Sequence, residues 1–189
     1  MRLLIMGPPG AGKGTQAVKI AERMGIPAIS TGEIFRKNVS EQTALGREAQ
    51  RYLDRGEYVP DELTNSMLRS RLDQPDTAGG FLLDGYPRTL AQVETLDKIL
   101  ADEGATLDRV LVLHVDHDEL VKRLLERAKV SGRSDDTEEV IRRRLEVYQE
   151  QTEPLLDVYA QRGLLVIVNG MGEISEVTER VLNALGNEA

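Results

Sequence analysis

Five short apolar runs limit what this chain can fold into. RLLIM (2–6), PAIS (27–30), FLLD (81–84), VLVLHV (110–115) and LLVIV (164–168) scarcely alternate with polar residues, the pattern of strands buried on both faces. Longer stretches of helical periodicity fill 13–24, 31–39, 42–54, 61–73, 89–102, 117–129, 137–161 and 173–185. Strands separated by helical crossovers predict an α/β fold: three layers, a five-stranded parallel sheet with helices on both faces. Two stretches break the alternation. About fifty residues separate the second and third runs, too many for one crossover, so 31–60 reads as a small helical insertion; AKVSGRSDD (128–136) reads as a short polar loop between two helices.

The punctuation agrees. Ser30 and Glu33 have capping-box spacing, Pro60 precedes a helical run, and Gly56 and Gly104 follow others. Pro154 lies inside the 137–161 pattern, so that helix should kink or end near it. At 189 residues the chain suits one α/β domain. It has no cysteine, hence no disulfide, thiolate metal site or cysteine nucleophile. No apolar run approaches a membrane span, and MRLLIMG is too short for a signal sequence, which makes the cytosol the expected location. A net charge of −8 argues against nucleic-acid or anionic-membrane partners but leaves small anions open. Of the 24 basic residues 18 are arginine, which suits forked phosphate contacts, although genomic base composition produces the same bias.

GPPGAGKGT (7–15) links the first strand to the first helix. Glycines let backbone N–H groups approach an anion, the helix N-terminus adds positive potential, and Lys13 reaches outer phosphates. The phosphate-loop pattern has Ser or Thr directly after the lysine; here Gly14 stands there and Thr15 follows. One helical residue turns a side chain by about 100°, so a metal should be held less directly than in the usual loop.

With STGEIFR (30–36), LDGYPRT (83–89), SGRSDD (131–136) and RRRLEVYQEQTEPL (142–155) in order behind it, the loop resembles that of adenylate kinases and their nucleoside monophosphate kinase relatives, over nearly the whole chain. The resemblance implies a phosphate-loop NTPase-like core (1–29, 60–126, 137–189), a monophosphate-binding insertion (30–59) and a short lid (127–136). It implies transfer of the terminal phosphoryl group of MgATP to AMP, giving two ADP, by a monomer. Gly10, Ala11, Gly12, Lys13, Gly14, Thr15, Arg127 and Gly172 would then hold ATP. The acceptor set is Thr31, Arg36, Glu57, Tyr58 and Val59 (through backbone), Gly85, Tyr86, Pro87, Arg88 and Gln92, with Arg133 and Arg144. Lys13, Arg88, Arg127, Arg133 and Arg144 are the implied catalytic cations, and Asp84 the acid that holds Mg²⁺ through water. Longer family lids can carry a metal-binding cysteine cluster; this chain cannot, so no structural zinc is expected.

Helical spacing provides a separate test of the arginines. Arg123, Arg142 and Arg143 have glutamates one turn away and read as solvated, ion-paired surface residues. Arg127 and Arg144 have none, so each must find a carboxylate elsewhere or await an anion; snorkelling to water is the bland alternative. Arg133 signals less, with Asp135 and Asp136 beside it. Thr31 also suits a helix start and Gln92 a solvated helix surface. Uridylate/cytidylate kinases usually carry alanine where Thr31 stands, which favours AMP over UMP, CMP or GMP. A nucleotide-binding switch without turnover is the rival of another class. His114 and His117 read as structural, since phosphoryl transfer needs alignment and charge stabilisation rather than a general base here.

Overall fold

In the computed structural model, which describes residues 1–133 and 136–186, the five apolar runs become strands β1 (Arg2–Met6), β2 (Ala28–Ser30), β3 (Phe81–Asp84), β4 (Arg109–His114) and β5 (Leu165–Asn169). They form one parallel sheet in the order β2-β3-β1-β4-β5. Ile5 and Ser30 both register with Asp84, and Met6 with Val112. The carboxyl ends of four strands therefore share one edge. The chain leaves β1 for one side of the sheet and leaves β3 for the other, which opens a crevice at that edge.

Alternate residues of β1 feed two cores, Leu3 and Ile5 on one face, Leu4 and Met6 on the other. The first face is covered by α1 (Lys13–Met24), α6 (His117–Ser131) and α9 (Ile174–Gly186); the second by α4 (Asp61–Leu72), α5 (Leu90–Asp102) and α8 (Leu155–Gln161). Double-sided burial holds for β1, β3 and β4 but not for β5. As an edge strand it buries Val166 and Val168 and leaves Ile167 66% exposed.

The insertion consists of α2 (Thr31–Ser40) and α3 (Ala44–Leu53), joined over a small cluster of Phe35, Ala49 and Val59. Thr43 caps α3 by accepting from the Gly46 N–H at 3.0 Å. Gly46 is the contact point of the pair: a Cβ there would lie 2.0 Å from the Asn38 carbonyl oxygen. Ser30 and Thr89 cap α2 and α5 in the same way, accepting from Glu33 N–H at 3.2 Å and Gln92 N–H at 3.3 Å.

One expectation about the helices needs correction. The 128–136 stretch is not all loop, because α6 continues to Ser131 before Gly132 (φ 60°) ends it. The 137–161 stretch does break near Pro154, as α7 (Glu138–Val147), a wide π-type turn at Tyr148–Thr152, and α8. Pro154 has no N–H to donate, and its ring opposes continuation of the preceding turn. No described helix is long and apolar enough to cross a membrane.

Candidate active site

Two cavities meet over the carboxyl edge of the sheet. The first is lined by the insertion (Thr31, Phe35, Arg36), its exit segment Gly56–Val59, the β3–α5 loop Gly85–Arg88, and Gln92. The second is lined by Gly10–Gln16, Asp84, Arg123, Arg127, Arg133 and Gly172. Pro9, Lys13, Gly32, Arg36, Arg88 and Arg144 line both. Every described candidate falls in one cavity or the other, so residues scattered over the chain converge. Arg133, placed in the acceptor set by the resemblance, lines the loop-side cavity and not the insertion-side one; its neighbour Asp135 lies outside the described residues.

The loop itself depends on glycine where the chain is tight. Gly10 has φ 85°, and a Cβ there would stand 2.9 Å from Leu124 and 3.0 Å from the Leu120 carbonyl. The first residues of α1 line the second cavity, and the first N–H groups of a helix have no intrahelical partner. Lys13 donates to the Pro8 carbonyl at 3.2 Å. Burial lowers its pKa to about 8; Asp84 opposes the shift, while Arg88, Arg144 and Arg127 reinforce it. A cation destabilised in this way is stabilised again by an arriving polyphosphate. Gly14 brings the loop to Asp84, whose Oδ2 lies 3.6 Å from where its Cβ would be.

Arg127 and Arg144 do find a carboxylate elsewhere, and it is the same one. Asp136 accepts two bonds from Arg127, one at 2.8 Å from Nε, and one from Arg144 Nη1 at 3.0 Å; Ser131 Oγ adds a fourth at 3.2 Å. Burial pushes the Asp136 carboxyl up, but the bonds and charge of Arg127, with Arg144 and Arg133, outweigh it and hold the group below the usual carboxylate range. Asp136 joins the two loop-side arginines across α6 and α7. Sequence spacing registered it only as a neighbour of Arg133.

Arg123 is a further correction. Its Nε bonds Glu119 at 3.1 Å, as helical spacing predicts, but its other nitrogens reach the Gly170 carbonyl at 3.1 Å and the Ala11 carbonyl at 3.4 Å. It ties the phosphate loop at Ala11 to the segment after β5 at Gly170. Arg143 likewise reaches beyond its own helix, to Glu57 at 2.7 Å. Arg142 keeps its helical partner Glu138 at 2.7 Å, exposed.

On the other side, the Thr31 hydroxyl donates to the Gly85 carbonyl at 3.0 Å, which ties the insertion to the β3–α5 loop. Gly85 has φ 86°, and a Cβ there would lie 2.7 Å from Thr31 Oγ1 and 2.9 Å from Arg88 Nη2. Gln92 is not a solvated helix residue: it is 1% exposed, accepts from the Arg88 N–H at 2.7 Å and donates to Asp61 at 2.8 Å. Thr152, unremarked in the sequence, is buried and donates to the Arg88 carbonyl at 2.9 Å. His114 and His117 are exposed and line neither cavity. Among the described residues no group of three or more His, Asp or Glu side chains is placed to hold a metal by itself.

The arrangement is suited to gathering anions from two directions onto one line of cations. Residues 5–164 match the family model described as adenylate kinase. The chain is 64% identical to the adenylate kinase of Nocardioides sp. (strain ATCC BAA-499 / JS614), over 98% of this chain and 97% of that protein. It is 64% identical to that of Kocuria rhizophila, over 97% and 98%, and 57% identical to that of Thermobifida fusca, over the full length of both.

Proposed function

The chain belongs to the adenylate kinase family, a phosphotransferase that moves the terminal phosphoryl group of ATP to AMP, and we propose how its own residues divide that work. One observation supports the division: the two cavities share Lys13, Arg36, Arg88 and Arg144, so groups entering from either side end beside the same cations. ATP takes the loop side, with Lys13, Thr15 and the Gly10–Gly14 backbone on its phosphates and Arg127 and Arg133 over them. Gly172 contributes to the wall of that side. AMP takes the insertion side, its base near Thr31 and Gln92 against the Glu57–Val59 backbone and the Gly85–Pro87 loop. Its phosphate meets Arg36 and Arg88.

The AMP phosphate oxygen then attacks the terminal phosphorus of ATP, and ADP departs on the opposite side. No proton has to be removed, because the attacking phosphate is already largely ionised at neutral pH. Arg144, reaching both cavities, carries the charge of the group in flight; donors of this kind are worth ~10²–10³ in rate each. Asp84 is buried at the sheet edge beside Gly14 and lines the same cavity as Thr15, and a donor set of one carboxylate and a hydroxyl fits a Mg²⁺ ion that keeps most of its water. When bound with ATP, the metal neutralises phosphate charge. The arms 30–59 and 127–136 are read as closing over the nucleotides to exclude water. A monomeric, cytosolic enzyme is part of the same reading.

Arg88→Met tests the assignment. Coupled assays should show kcat lowered ~10²–10³-fold with MgATP binding retained; an unchanged kcat would reject it. Comparing AMP with CMP, UMP and GMP tests the acceptor, and GMP turnover well above that of AMP would reject the roles of Thr31 and Gln92.

A further inference from the structure

The cations of this site are oriented in two different ways. Arg127 and Arg144 are held by the Asp136 carboxylate. Arg88 has no carboxylate partner among the described residues; its guanidinium carbon lies 5.1 Å from the centroid of the Tyr58 ring, within cation–π range. The Tyr58 hydroxyl is 2.6 Å from Thr152 Oγ1, which is 2.9 Å from the Arg88 carbonyl oxygen. A carbonyl only accepts, so the Thr152 proton is committed to it, and the Tyr58 hydroxyl must be the donor to Thr152. The chain of bonds therefore has one direction, from Tyr58 through Thr152 to the backbone of Arg88.

We propose that Tyr58 is a positioning residue for Arg88, gripping it by ring face and hydroxyl so that its guanidinium is presented to the acceptor phosphate with its N–H donors unspent. The proposal rests on the reading of Arg88 as an acceptor-phosphate ligand. Its physical basis is the contrast between the two kinds of holder. A carboxylate orients a guanidinium by occupying its N–H groups and cancelling its charge, so an incoming phosphate must displace it or share. An aromatic face attracts the cation through its quadrupole and leaves the edge, where the N–H donors lie, open to an anion.

The placement also makes the grip conditional on the insertion. Tyr58 belongs to the insertion's exit segment, Arg88 to the loop after β3, and Thr152 to the wide turn after α7. Two neighbours hold that segment in place. A Cβ on Gly56 would meet the Val140 carbonyl at 2.9 Å, and Glu57 pairs with Arg143 at 2.7 Å. Arg88 is thus aimed only when the exit segment is docked on α7, the helix that also carries Arg144.

Tyr58→Leu, Tyr58→Phe, Thr152→Val and the Tyr58→Phe/Thr152→Val pair test this, with AMP and ATP varied separately well below each variant's Tm. Loss of the ring in Tyr58→Leu should raise KM for AMP ~10-fold while KM for ATP stays unchanged. Tyr58→Phe keeps the ring and should recover most of that, leaving a ~3-fold rise. Adding Tyr58→Phe to Thr152→Val should cost nothing further, because the phenol has already lost its acceptor. A Tyr58→Leu enzyme with KM for AMP and kcat both unaltered, or with KM for AMP and KM for ATP raised alike, would overturn the proposal, as would independent effects in the double variant. Arg88→Met run alongside separates the two readings. If it too is silent, the assignment of Arg88 has failed; if it is severe while Tyr58→Leu is silent, the role of Tyr58 has.

Discussion

Asp136→Asn removes one charge and almost no volume from the place where two active-site arginines meet. The Asp136 side chain is fully buried, while those of Arg127 and Arg144 are 30% and 20% exposed. Deleting one partner of a fully buried ion pair costs ~3–5 kcal/mol, and access of water to both arginines brings the expectation here to ~2–3 kcal/mol. For a chain of this size that corresponds to a fall in Tm of ~5–10 °C. The pH dependence has a definite sign. The folded Asp136 carboxyl titrates below its unfolded value, so its contribution is fully present above the unfolded carboxylate pKa and lost as pH falls through the folded one. Urea unfolding of both proteins should thus show the full gap near neutral pH and convergence below about pH 4. A saturating two-headed ATP–AMP mimic should narrow the gap at neutral pH, since its phosphates supply the missing negative charge. A gap under ~0.5 kcal/mol at neutral pH, or one unchanged at about pH 3, would refute the reasoning.

Burial lowers the Lys13 ammonium to about 8 in the folded protein from its ordinary 10.5, so between those limits the unfolded chain holds more protons and this group's contribution to stability rises with pH. Binding of a polyphosphate in the same window should take up on the order of half a proton, measured by calorimetry in buffers of different ionisation heat; Lys13→Met should abolish the uptake, and persistence of it there would remove Lys13 as the source. Gly46→Ala forces α2 off α3 against backbone atoms of Asn38 and Val39 and should cost ~1–3 kcal/mol, read as lost amide protection across 31–59. Unchanged protection there would mean that the helices part without cost.

Much of the site could be read before any coordinates, for reasons that are local. A glycine-rich loop between a buried strand and a helix states its own geometry, because backbone N–H groups at a helix start point one way whatever the rest of the chain does. Caps at Ser30 and Thr89 and the break near Pro154 are equally local, each decided by a few neighbouring atoms. The arginines with no carboxylate one helical turn away were visible for the same reason: helical spacing gives a residue's neighbours within one turn.

What lies beyond one turn had to come from the tertiary structure. Asp136 could not be matched to Arg127 and Arg144 because the three come together only when α6 and α7 pack side by side. Arg123 looked satisfied by Glu119, yet two of its three hydrogen bonds go to carbonyls far along the chain, at Ala11 and Gly170. Gln92, Thr152 and Tyr58 gave no sign in their own segments of closing on Arg88. The edge position of β5, which exposes Ile167, follows from strand order rather than from composition. The sequence alone determined the layer architecture, the phosphate loop and which cations lacked a local partner, because those follow from periodicity and short-range backbone geometry. Only the folded chain decided which charge faces which, because contacts between elements depend on how the sheet orders them in space.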